Sequence, residues 1–145
     1  KRRYRLSEQR GKPVLLAFVG YQTARQLEGI IKPVRIRFRD TSQLSVAAVV
    51  DVSMVPRLMK GMVRGIMDSA YAEAARQIPD GYDPADYLIL LPDWEGKVLQ
   101  AFGVSDVGQQ ITLVSLDASG NIVERYQGSD LSTAAMAMVE ALIGA

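Results

Sequence analysis

Apolar residues along this chain form three kinds of run. The first kind is unbroken. Val14 to Val19 is six apolar residues in a row, introduced by Gly11-Lys12-Pro13 and closed by Gly20. Leu44 to Val52 is apolar nearly throughout and carries Asp51 at its end. Strands buried on both faces, as in the centre of a parallel sheet, read this way. Tyr87 to Leu91 is a shorter example, closed by the turn Pro92-Asp93-Trp94-Glu95-Gly96.

The second kind has helical spacing. Thr23 to Ile31 places Ala24, Leu27 and Ile31 on one face. Lys97 to Phe102 predicts a short helix ended by Gly103. After Ser129 or Asp130 as cap, Leu131, Ala134, Met138 and Leu142 define an inward face of a final helix. The longest example is Met54 to Gln77, where apolar residues recur in pairs every four positions. Each such step overshoots one turn by about 40°, so the stripe winds around the helix. Either the helix bends, at Gly61 or Gly65, or its late turns, with Met67 and Tyr71, face another surface.

The third kind alternates. Val34, Ile36 and Phe38 alternate with Arg35, Arg37 and Arg39, predicting a strand with one wet face or the tail of the preceding helix. Ile111 to Leu116 and Asn121 to Tyr126 flank Asp117-Ala118-Ser119-Gly120, which reads as a β-hairpin. Pro79 to Asp86 is a loop by composition, and its Asp80, Asp83 and Asp86 lack the alternate spacing of an EF-hand.

Composition then removes whole classes of chemistry. At 145 residues, with 48% hydrophobic and 23% charged, the chain is expected to be a single globular domain over residues 1–145. Its net charge of +1 supplies no long-range field for nucleic acid, although Lys1 to Arg10 is a basic lead-in. Cys is absent, which removes disulfides, thiol redox chemistry and thiolate metal sites. His is absent too, and with it the commonest general base and transition-metal ligand. No cofactor and no metal site is expected. No apolar run approaches the roughly 18 residues of a spanning helix. A chain opening on Lys1 leaves a cleaved leader and a trimmed start equally open.

Taken in order, the elements and their motifs carry a resemblance. LSEQRGKPVLLAFVG, VAAVVDV, YLILLPDWEGKVLQAFGV and ITLVSLDASGNIVERYQG follow one another over nearly the whole chain. This succession resembles the thioredoxin-like superfamily in its thiol-disulfide and peroxiredoxin-like branch. The fold it implies is α/β, a central mixed sheet with helices on both faces and a long helical insertion after the second core strand. Aligned on Phe18, the family's Cys-x-x-Cys falls at Thr23-Ala24-Arg25-Gln26, and its cis-proline at Ile111. The resemblance extends to cysteine-free members from bacterial envelopes and implies an exported, periplasmic setting.

Three functional readings follow. In the first, a redox-inactive module binds a protein or peptide in the groove that the family has beside its first helix. Tyr21, Gln22, Thr23, Arg25 and Gln26 would line one side, Gln109, Gln110 and Ile111 the other. In the second, an enzyme binds a small anion at the N-terminus of the Thr23 helix, helped by Arg25, with Asp51 as base. Asp51 is equally a turn or cap residue before Ser53. In the third, an assembly subunit uses the 54–77 helix as its interface, including a homodimer through Met67 and Tyr71.

No residue is assigned a catalytic role. Disulfide exchange needs a thiolate. The clean protein is therefore expected to give no turnover in insulin-reduction or peroxidase assays; turnover in either would overturn this reading.

Overall fold

The computed structural model describes residues 11–20, 23, 26–40, 43–53, 55–76, 89–104 and 110–143. Its elements are β1 (Val14–Gly20), α1 (Leu27–Arg37), β2 (Ser45–Asp51), a 3-10 turn (Arg57–Met59), α2 (Lys60–Arg76), β3 (Ile89–Asp93), α3 (Lys97–Phe102), β4 (Thr112–Leu116), β5 (Ile122–Gln127) and α4 (Leu131–Ile143). The strands form one sheet in the order β3-β2-β1-β4-β5. β1 pairs in parallel with β2, as β2 does with β3; β1 and β4, and β4 and β5, are antiparallel. The mixed sheet matches the α/β expectation, with α2 as the helical insertion between β2 and β3.

The unbroken apolar runs are the two central parallel strands, and every residue of β1 is buried. Its side chains alternate between two cores. Leu15, Ala17 and Val19 join Val46, Ala48 and Val50 under α1 and α4, which contribute Leu27, Ile30, Ile31, Val34, Ala135, Met138 and Val139. Val14, Leu16 and Phe18 join Ala47, Val49, Leu99 and Val104 on the face covered by α3. There the rings of Phe18 and Phe102 lie 5.3 Å apart in a tilted arrangement. Helices thus cover both faces.

Several boundaries differ from the expectation; the long helix begins at Lys60, after Pro56 and a 3-10 turn, rather than at Met54. The first helix begins at Leu27 rather than Thr23, because Thr23 is held in a turn by its N–H bond to the Gly20 carbonyl at 3.2 Å. It then runs through Pro33 to Arg37, so the alternating arginines continue a helix and do not form a strand. Pro33 deprives the Gly29 carbonyl of its helical donor, and Gly29 is exposed, where water can replace it. Arg35 is 1% exposed and its Nη2 donates to the Leu44 carbonyl at 3.1 Å, tying α1 to the entry of β2. Similarly, β3 runs to Asp93 rather than Leu91, and Pro92 is tolerated because β3 is an edge strand. Tyr87 and the loop Asp80, Asp83 and Asp86 lie outside the described residues, as does Lys1 to Arg10.

α2 is continuous through Gly61 and Gly65, so neither glycine breaks it. Val63 is buried in the core and Met67 packs against it half-buried. Leu58, Met59, Met62 and Ile66 remain exposed.

The β4–β5 turn is closed by Asp117. Its Oδ1 accepts from the backbone N–H groups of Asn121 at 2.9 Å and Ser119 at 3.0 Å. Those bonds, the Asn121 N–H above all, hold its carboxyl below the ordinary 3.8. A depressed folded-state value stabilises the fold above the unfolded pKa, and that contribution disappears as pH falls through the folded one. The Asp117→Asn variant is therefore expected to be less stable than the parent at pH 5 to 7. The gap should close as the pH falls through the carboxyl's folded-state pKa, read as urea midpoints. A gap that stays constant with pH would contradict the assignment.

Ser115 is fully buried in β4, and its Oγ has no hydrogen-bond partner among the described residues. Ser115→Ala should raise the stability by about 1 kcal/mol, because it removes a desolvated hydroxyl at little cost in volume. A loss of similar size in the same measurement would mean that the hydroxyl is satisfied.

Candidate functional site

The carboxyl ends of the parallel strands lie side by side. Gly20 of β1 is in register with Asp51 of β2, and Asp51 with Asp93 of β3. Open α/β sheets bind ligands at such a rim. Here the loop after each strand turns back and satisfies the strand end.

After β1, Thr23 is 5% exposed and folds onto Gly20. The Gly20 N–H donates to Thr23 Oγ1 at 2.8 Å, and the Thr23 hydroxyl donates to the Gly20 carbonyl at 3.3 Å. A hydroxyl held this way is a structural clasp. A nucleophile would instead need a base within hydrogen-bond reach. The Gln26 N–H then bonds to the Thr23 carbonyl at 3.0 Å. Gln26 is the N-cap residue of α1, but its exposed side chain makes no capping bond.

After β2, Asp51 Oδ1 accepts from the Ser53 N–H at 3.0 Å and the Ser53 hydroxyl at 2.6 Å. The carboxylate thus closes a local turn, the second of the two roles expected for it. After β3, Asp93 is 6% exposed, and its Oδ2 accepts from the N–H groups of Val98 at 2.9 Å and Leu99 at 3.0 Å. This carboxylate caps α3 at the positive end of its dipole. Gly96, at φ 72°, gives the chain the left-handed step between Asp93 and the helix. Sequence reading passed over Asp93, treating its segment as a turn. An Asp a few residues ahead of a helical run, with Gly between, was the available signal.

The opposite side of the rim comes from β4. Ile111, just before the first ladder residue Thr112, is 1% exposed and belongs to the α1/α4 core. Gln110 beside it is exposed. Of the expected binding residues, the structure describes Thr23, Gln26, Asp51, Gln110 and Ile111. Thr23 and Ile111 are buried, and Gln26 and Gln110 reach solvent. Tyr21, Gln22, Arg25 and Gln109 lie outside the described residues.

Trp94, next to Asp93, is also part of this end of the molecule. Lys60 Nζ lies 5.4 Å and Arg64 Cζ 5.1 Å from its ring centroid, so two cations of α2 rest on one indole. A shallow groove of about 680 Å³ lies elsewhere, between α1 and α4. Lys32, Pro33, Ile36, Arg37 and Met136 line it together with Glu28 and Gly29. None of the rim residues contributes to it. No group of three or more metal-ligating residues occurs among the described residues.

No family model matches the chain, and no curated protein matches it significantly. Solved structures do. An exposed lipoprotein thioredoxin from Streptococcus pneumoniae is 21% identical, over 96% of this chain and 91% of that one, with a TM-score of 0.66. A secreted disulfide oxidoreductase from Mycobacterium tuberculosis is 16% identical, over 94% and 86%, with a TM-score of 0.59. A thiol-disulfide isomerase from Corynebacterium glutamicum is 14% identical, over 98% and 88%, with a TM-score of 0.58. At such identities the likeness is one of architecture, and the architecture is plain: this cysteine-free chain has the thioredoxin-like fold.

Proposed function

We propose that the chain is a redox-inactive thioredoxin-like domain that binds a protein or peptide partner at the rim between Gln26 and Gln110. The observation carrying this reading is the Thr23 clasp. In place of the thiol pair that the resemblance puts at Thr23 and Gln26, the chain has a buried hydroxyl bonded to Gly20 and an exposed amide. Thr23 is tied to Gly20, while the exposed Gln26 and Gln110 keep donors and acceptors in water. Ile111 lies just before the β4 ladder, where an extended chain could add main-chain hydrogen bonds beside it.

The enzyme reading gains less support. Asp51 is engaged with Ser53, and the N–H groups of Thr23 and Gln26 already bond to backbone carbonyls. The homodimer through Met67 and Tyr71 also gains little, since Met67 packs on its own core; the Tyr71 side chain lies outside the described residues. An exported, bacterial setting is supported by the exposed and secreted solved relatives.

The test uses a phage-displayed random peptide library panned on the whole protein. Enriched peptides should bind with a Kd that rises about tenfold on Gln110→Glu or Gln26→Glu. The exposed Arg39→Glu should leave it unchanged. Failure to enrich any peptide, or peptides indifferent to both rim changes, would reject the reading.

A second prediction concerns the turn itself. Thr23→Cys with Gln26→Cys should form an intramolecular disulfide under mild oxidant, since the spacing suits ring closure at a helix start. Two thiols that remain titratable would show that this turn does not have the geometry of the family's redox site.

A further inference from the structure

The groove between α1 and α4 joins features that neither the core nor the rim uses. Ile36 is 54% exposed, left in water on a helix whose Leu27, Ile30, Ile31 and Val34 are buried. At about 100° per residue, Gly29, Pro33 and Ile36 fall within about 60° round α1 and form an apolar strip. Met136, half-buried on α4, lines the opposite bank. A Cβ added at Gly29 would meet nothing within 4 Å, so the strip is notched there. The groove holds about 680 Å³, within the range of small-molecule sites.

Charge is distributed unevenly along this groove. Lys32 and Arg37 flank the strip on opposite sides, about 140° apart round the helix. Among the described lining residues Glu28 is the one acidic side chain, and it precedes Lys32 at the spacing of a local helical pair. That flank is close to neutral. Arg37 lies nine residues from Glu28, half a turn round α1 and about 13.5 Å along its axis. The separation exceeds the Debye length of about 8 Å at physiological salt, so Glu28 does not cancel Arg37. Among the described residues Arg37 makes no ion pair, and its guanidinium rests 5.0 Å from the centroid of the Phe38 ring. Stacking occupies the face of a guanidinium and leaves its N–H edge, which grips a carboxylate through two parallel bonds.

We propose that this groove binds a monocarboxylate with an unbranched apolar chain, of the medium-chain fatty-acid class. Arg37 receives the carboxylate, and the chain lies along Ile36, Pro33 and Met136 toward the notch at Gly29. Each part of the ligand answers one feature of the site. The charge of Arg37 selects an anion, and the apolar strip selects a hydrocarbon body. Glu28 at the far end disfavours a second carboxylate there. Shape narrows the class again, because a shallow trough covers a thin chain laid along it better than a compact ring system. None of the rim residues lines the groove, so this site stands apart from the peptide reading.

The experiment is titration of the whole protein, methyl-labelled at methionine, with octanoate below its micellar concentration, against octanol and octyltrimethylammonium. Octanoate should bind saturably and shift the Met136 methyl resonance, assigned by its loss in Met136→Leu. Octanol, with the same chain and no charge, should bind at least about tenfold more weakly, and the cation more weakly still. Arg37→Gln should lose about tenfold for octanoate and leave octanol unchanged, a split that a merely structural arginine would not give. Gly29→Phe places its side chain in open space, so it should keep the parent's circular dichroism and lose octanoate binding. Arg57→Gln, the same charge loss outside the groove, should stay within about twofold. Absence of saturable octanoate binding, equal affinity for octanol, or full binding by Gly29→Phe would each overturn the proposal. Shifts confined to Met59 and Met62, with Met136 unmoved, would overturn it as well, by placing the chain on α2.

Discussion

The structure depends on β1 being dry on both sides. Seven consecutive buried residues cannot sit at a sheet edge or on a sheet with one open face. They require a strand partner on each side and a helical layer above and below. β2 and β4 meet the first requirement, one parallel and one antiparallel. α1 and α4 on one face and α3 on the other meet the second. Burying a Val, Leu or Phe side chain stabilises by about 1.5–3 kcal/mol, so β1 and the layers it recruits hold a large share of the core.

A buried parallel strand creates a difficulty where it stops, because its last carbonyl and the next N–H groups reach the rim together. This chain resolves it three times with short polar side chains. Thr23 clasps Gly20, Asp51 holds Ser53, and Asp93 caps α3. All three side chains thereby hold local turns or a helix start. That commitment is the physical content of a redox-inactive reading: the reactive pair is missing, and the polar groups nearby already have structural tasks. Among the described residues there, Gln26 and Gln110 are exposed.

α2 follows a different logic. A crossover between parallel strands has to pack on the sheet, and among its described side chains this helix reaches the core through Val63 and Met67. The winding of its apolar stripe is the reason. A row that drifts around the axis can place only part of itself against one surface, and Met62 and Ile66 are carried off the contact into solvent. The same drift brings Lys60 and Arg64 over Trp94 on the other flank.

By itself the sequence determined the central strands, the hairpin with its Asp117 turn, the Gly103 stop of α3 and the absence of thiol and imidazole chemistry. Each of these is local: an unbroken apolar run, a turn residue, a missing side chain. Their order was enough for the thioredoxin-like fold. The alternating arginines were ambiguous, because a strand and the tail of a helix differ there only in whether Arg35 has somewhere buried to go. The Leu44 carbonyl supplies that place, from nine residues away along the chain. Asp51 likewise has a turn partner, Ser53, which its place at the strand end did not specify. Asp93 and the two cations on Trp94 went unnoticed because their partners lie in a following helix and in a separate one. Tertiary structure decided these cases because a polar side chain takes its role from the partner that packing brings to it.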